Sequence, residues 1–197
     1  MIPETKPAPS ADSSAKVAPL PATAPDDPFF AGIARGVTFA RIFTGHGTTV
    51  LPADLADALS GRGFVPGFGD VNGKTAPMQE TGLDEARFTA GGDGYLIVSL
   101  SSSRGDGCKV MVRETLPNEL PDDYLARRAV PKPRLVYLVR AGGAGNSDRN
   151  LCENIAESLM ILTNGLAEIG GRGARGGNKP ELHDSFWLGS LRTGDQR

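Results

Sequence analysis

Apolar residues are bunched along this chain, and the bunches follow two different periods. In residues 108–114, Cys108, Val110 and Val112 alternate with Lys109, Met111 and Arg113. That is the period-two pattern of a strand with one buried face and one largely wet face. Farther on, Cys152, Ile155, Leu159, Leu162, Leu166 and Ile169 recur three and four apart. This spacing predicts a helix over 151–169 with an apolar stripe along one side. Asn150 followed by Glu153 resembles a capping box at its start, and Asn164-Gly165 marks a point where it ends early or kinks.

Three more runs read as strands: 86–90, 95–101 and 134–140. Gly92-Asp93-Gly94 and Gly105-Asp106-Gly107 supply the tight turns that join 86–90, 95–101 and 108–114 into an antiparallel meander. Residues 95–101 are apolar at nearly every position, as expected of a central strand. Two shorter helices precede them. Asp27-Pro28 is a helix-start signal, and Phe30, Ile33, Ala34, Val37 and Ala40 follow at helical spacing as far as Gly45. Pro52 opens the second, with Leu55 and Leu59 on one face and Gly61 as terminator. The fold class expected is α+β: two layers, with helices packed on one face of a four-stranded antiparallel sheet made of the meander and one later strand.

The pattern also sets the domain limits. Residues 1–27 hold six of the fifteen prolines and almost no large apolar group. Such a segment cannot bury enough surface to offset its ordering entropy and is expected to be a disordered, extended tail. The single α+β domain then spans 28–169. Residues 170–197 comprise a Gly-rich linker, GRGARGG at 171–177, and an aromatic segment carrying Phe186, Trp187, Leu188 and Leu191. That apolar cluster should not stay in water, so it docks either on its own domain or on a protein partner.

The chain has 197 residues and a net charge of −2. Residues 1–100 carry 7 basic and 11 acidic groups, against 14 and 12 in the remainder. So mild an asymmetry gives no reason to expect nucleic acid or an anionic surface as partner, and GRGARGG lacks the aromatic interleaving of an RNA-binding tract. No run approaches the roughly 20 apolar residues of a membrane span. With no basic-then-apolar leader, the default compartment is the cytoplasm. A Pro/Ala/Ser-rich start also follows a processed signal or an anchor, which would put the protein in the periplasm or cell envelope.

Two stretches suggest phosphate binding. GFGDVNGKTAP, 67–77, ends in Gly73-Lys74-Thr75 like a P-loop, but Phe68 stands where the first glycine belongs and Pro77 opposes the required helix. The second stretch, 141–150, is a Gly-rich loop between a strand and a helix. Gly143, Gly145, Asn146 and Arg149 are its candidate anion-binding residues. Asp148 stands where a dinucleotide fingerprint needs glycine and would repel an anion, so no cofactor is expected.

Cys108, Cys152, His46 and His183 lack the close pairing of metal-ligand sites. Cys152 sits in the first turn of the predicted long helix, where the dipole activates a thiol. Both cysteines also fall on apolar faces, which suits two buried thiols or a Cys108–Cys152 disulfide. His46, between glycines, is a weak catalytic candidate or an exposed turn residue. With no ordered set of nucleophile, base and orienting group, the reading favoured is a non-catalytic interaction or accessory module with a protein partner at the aromatic segment. The alternatives are a small enzyme using Cys152 or His46 beside the 141–150 loop, and a disulfide-stapled envelope protein.

Overall fold

The computed structural model describes residues 27–31, 37–70, 76–77, 88–92, 94–101, 106–143, 145–171 and 181–184. They form one antiparallel sheet of eight strands, one of them only two residues long. The strands are β1 Phe39–Thr44, β2 Pro66–Asp70, β3 Ala76–Pro77, β4 Tyr95–Ser99, β5 Cys108–Glu114, β6 Leu135–Ala141, β7 Leu166–Gly170 and β8 Glu181–Asp184. Their order across the sheet is β3-β2-β4-β5-β6-β1-β7-β8. The α+β class with an antiparallel sheet is present, but the sheet has twice the strands expected.

Three corrections, together with the short strands β3 and β8 that the sequence pattern did not suggest, account for the difference. Phe39–Thr44 is a strand in the interior of the sheet, pairing with β6 on one side and β7 on the other. Among the described residues before it, only Pro28–Phe30 winds into a single 3-10 turn, capped by the Asp27 carboxylate, which accepts from the Phe29 amide at 2.8 Å. The long helix ends at Leu162. Asn164 takes a left-handed φ of 46°, and the chain reverses into β7. Finally, the partner of β4 on its far side is β2, whereas 88–91 contributes only an isolated bridge from Ala90 to Val112.

Helices α1 (Pro52–Ser60) and α3 (Asn146–Leu162) pack on one face of the sheet. Leu55 and Leu59 of α1 and Ile155 and Leu159 of α3 meet Ile42, Ile97, Val110, Val139 and Ala167 there, in the larger core. Tyr137 is buried among them, its hydroxyl accepting from the Val50 amide at 2.8 Å. Arg62 ties the end of α1 to Asn154 and Glu157 of α3.

The opposite face was expected to be largely wet, and much of it is covered. The turn at 28–30, the crossover after β5 and its helix α2 (Tyr124–Ala129) bury Phe39, Phe43, Val136, Leu138 and Leu166 beneath Phe30, Ala126 and Val130. Two arginines on this face are paired with carboxylates, while Arg140 lies over the Phe29 ring. Arg41 bonds Glu168 at 2.5 Å, and Arg113 grips Glu119 with both nitrogens, at 2.6 and 2.8 Å. Arg113 also reaches Asp27 at 2.5 Å, fastening the 28–30 turn to β5. Met111 packs partly buried against the same cluster. The domain is therefore a sheet with helices on one side and a thin strap on the other.

Candidate functional site

The loop before α3 is where the sequence concentrates its chemistry. Helix α3 begins at Asn146, five residues earlier than expected, with Gly145 as N-cap. Asn150 therefore lies inside the helix. Its carbonyl accepts from the Asn154 side chain, and no capping box forms. The early start puts Asp148 in the first turn, 4% exposed, with its carboxylate turned towards the 106–107 turn rather than to solvent.

There the two carboxylate oxygens accept from two consecutive amides, Asp106 N–H at 3.1 Å and Gly107 N–H at 3.0 Å. Consecutive amides aimed at one anionic group in this way are the donors a phosphate would need, and Asp148 occupies them. Gly142 donates in turn to the Gly107 carbonyl at 2.8 Å. A side chain at Gly143 would lie 2.9 Å from Asp106 Oδ2 and 3.2 Å from Asp148 Oδ2. Gly107, at φ 78°, would bring its side chain within 2.7 Å of the Ile97 carbonyl. These glycines let two backbones and two carboxylates approach closely.

Of the anion-site candidates, Gly143 is half-buried in this packing, Gly145 serves as N-cap, and Asn146 is exposed. Arg149 is half-buried one residue past the carboxylate. One turn of helix beyond Asp148, Cys152 is bonded to Cys108, with the Cα atoms 5.5 Å apart and both residues at most 1% exposed. No free cysteine remains. The cysteines are thus neither two separate thiols nor a reactive nucleophile, since the sulfur that the helix dipole would activate is spent in the bridge.

His46 is exposed just past β1, its amide donating to Thr44 Oγ1 at 3.0 Å. The β1–β6 register pairs Thr44 with Leu135 and Phe39 with Arg140. His46 therefore lies beyond one end of these strands, whereas the 141–150 loop leaves the other end, about 20 Å away at the usual strand rise. The fold does not bring them together. His183 lies on β8 opposite Ala167. Among the described residues, no three His, Cys, Asp or Glu side chains are placed to hold a metal ion.

Gly67–Asp70 belongs to strand β2, and Ala76–Pro77 is a strand rather than the start of a helix. That context is not a P-loop's. Residues 71–75, with Gly73-Lys74-Thr75, lie outside the described residues, as do 1–26, most of GRGARGG, and Phe186, Trp187, Leu188 and Leu191. No helix among the described residues is long and apolar enough to cross a membrane. No protein family, curated protein or solved structure matches the chain.

Sequence reasoning missed Asp148 as the acceptor of the loop. It registered the residue only as a repulsive charge. The available signal was an acidic residue near a helix start, together with a Gly-Asp-Gly turn of convergent amides, but their separation of 41 residues hides the pairing.

Proposed function

We propose that this chain is a non-catalytic interaction module, stapled for an oxidising compartment, that engages a protein partner through its C-terminal aromatic segment. The observation that carries this reading is the position of β8. It is the last strand in the sheet order and ends at Asp184, two residues before Phe186-Trp187-Leu188. An edge strand offers unpaired main-chain groups on its outer side, and an aromatic anchor beside such an edge suits strand addition by a partner, in which main-chain bonds give affinity and side-chain pockets give choice. The polar groups of the α3 loop support the non-catalytic part, because Asp148 and Cys152 serve internal bonds. The Cys108–Cys152 bridge supports a periplasmic, envelope or secreted setting, where such bonds persist.

A truncation tests this directly. Deletion must begin at 185, because removing 180–197 would take β8 with it. The shortened chain and an F186A/W187A variant should keep the urea transition of the full chain but elute at a smaller size than the native-host assembly containing the intact chain. Loss of the urea transition would assign the aromatic segment to the domain's own core. An unchanged assembly would remove the partner role. Mass after alkylation without reductant, on protein from its native host, checks the compartment: two alkylated cysteines would argue against it.

A further inference from the structure

We infer that Asp148 is the positioning residue for the Cys108–Cys152 disulfide, holding the start of β5 against the first turns of α3 so that the two sulfurs meet. Asp148 and Cys152 stand four apart on α3, one turn above the other on the same face. Their partners, Gly107 and Cys108, are consecutive. The carboxylate–amide pair and the sulfur–sulfur bond are therefore neighbouring rungs between the same two segments.

The two rungs differ in what they need. The carboxylate bonds form without an oxidant, so in the reduced chain they are, among the described residues, the hydrogen bonds that tie residues 106–107 to the helix. Charge-assisted bonds to a buried carboxylate are stronger than ordinary ones, and Asp148 accepts two. Gly107, Gly142 and Gly143 keep the approach close, since a side chain at any of them would collide with Ile97 or Asp106. With the clamp in place, cysteines 44 residues apart in sequence are brought together locally rather than by closing a long loop. The reciprocal also holds: the bridge strengthens the clamp by as much as the clamp favours the bridge.

The test equilibrates the full chain with mixtures of reduced and oxidised glutathione. One cysteine thiolate attacks the glutathione disulfide and expels one glutathione. The second attacks the mixed disulfide and expels another, so one glutathione disulfide is reduced for each protein bridge formed. Because both cysteines are buried, exchange passes through an opened form, and the equilibrium rather than the rate reads the clamp. Mass after alkylation gives the bridged fraction and hence the effective concentration of the thiols.

D148N, which keeps the shape but loses the charge, should lower that effective concentration about tenfold or more. T163A removes a buried bond from Thr163 Oγ1 to the Leu159 carbonyl, 2.7 Å, at the far end of α3. It should lower stability yet leave the effective concentration within about twofold, because it weakens reduced and bridged forms alike. If D148N does not fold, G143A presses on the same carboxylate without removing it and should give a smaller drop in the same direction. Wild-type values in D148N or G143A, an equal drop in T163A, or loss of the fold in the reduced wild-type chain would each overturn the assignment.

Discussion

Phe39 lies with its ring across Gly170, its direct partner in the β1–β7 register. A Cβ on Gly170 would stand 2.3 Å from the Phe39 ring. Phe39 is 1% exposed beneath Phe30, so the ring has nowhere to retreat. The glycine is the hollow that receives the aromatic, and it draws the strap side of the fold onto β7. G170A should therefore cost roughly 1–3 kcal/mol by overpacking. Urea unfolding of the single variant measures this. A double variant with F39L should recover part of the loss, and strictly additive effects would contradict direct contact.

Arg113 is the hub of the ion pairs on the same face. Its side chain is 18% exposed, with Glu119 at 9% and Asp27 at 10%. R113M should cost roughly 2–4 kcal/mol, since it strips the nearly buried Asp27 of its cation and leaves Glu119 with the longer contact to Arg41, 3.7 Å away. Glu119 also accepts from the Leu116 amide at 2.9 Å, so the start of the crossover should loosen as well. Faster amide exchange at 116–120 would report it.

The pH dependence of that loss has a definite sign. Arg113 is held above its ordinary pKa, first by its hydrogen bond to Glu119, against the opposing cost of burial, and then by Asp27. A cation whose pKa is raised on folding contributes stability that is complete below its unfolded value and is lost only as pH rises through the folded value. For arginine both lie far to the alkaline side of neutrality. The stability difference between wild type and R113M should therefore be flat from about pH 6 to about pH 10, and a decline within that window would mean that a different group titrates.

How much of this was legible in the sequence depended on whether the two faces of an element differ. β5 was read to its limits because Cys108, Val110 and Val112 face the helices while Lys109 and Arg113 do not. β1 was not, because Ala40 and Ile42 are buried under the helices and Phe39 and Phe43 under the strap. A strand covered on both sides has no polar alternation, and its apolar residues fit a helical period by accident. Its one charge, Arg41, is paired with Glu168 across 127 residues, a relationship with no local trace. β7 was absorbed into the helix because Leu166 and Ile169 continue the three-four spacing past Asn164-Gly165, where the backbone reverses. At the candidate site the residue types were legible and their roles were not. The amides of a Gly-rich region attract any anion, and the sequence does not say that Asp148 is the one that arrives.

Tyr137 offers a cleaner measure of one buried bond. Its hydroxyl is within 2.8 Å of the Val50 amide, at the approach to α1. Y137F leaves the ring packing intact and strands that amide without its acceptor, so the cost should be about 1–2 kcal/mol. The exchange rate of the Val50 amide, read by NMR, should rise by a larger factor than that of amides in β6. Equal changes at both would mean that the loss is global rather than at this contact.

Removing the bridge itself separates cross-linking from packing. The Cys108–Cys152 bond closes a loop of 44 residues, which in the chain-entropy model contributes about 4 kcal/mol by restricting the unfolded chain. Reduction of the wild type and the double substitution C108A/C152A should then give nearly the same loss, because each sulfur is small and the cross-link is what both lack. For a chain of this size that loss corresponds to a fall in Tm of roughly 10–15 °C. Far-UV circular dichroism of the reduced protein should keep its folded signal at 25 °C, since a typical domain has about 5–15 kcal/mol to lose. If the double variant is much less stable than the reduced wild type, the difference measures packing by the two sulfurs in the layer between β5 and α3, and the loop-entropy account must shrink by that amount.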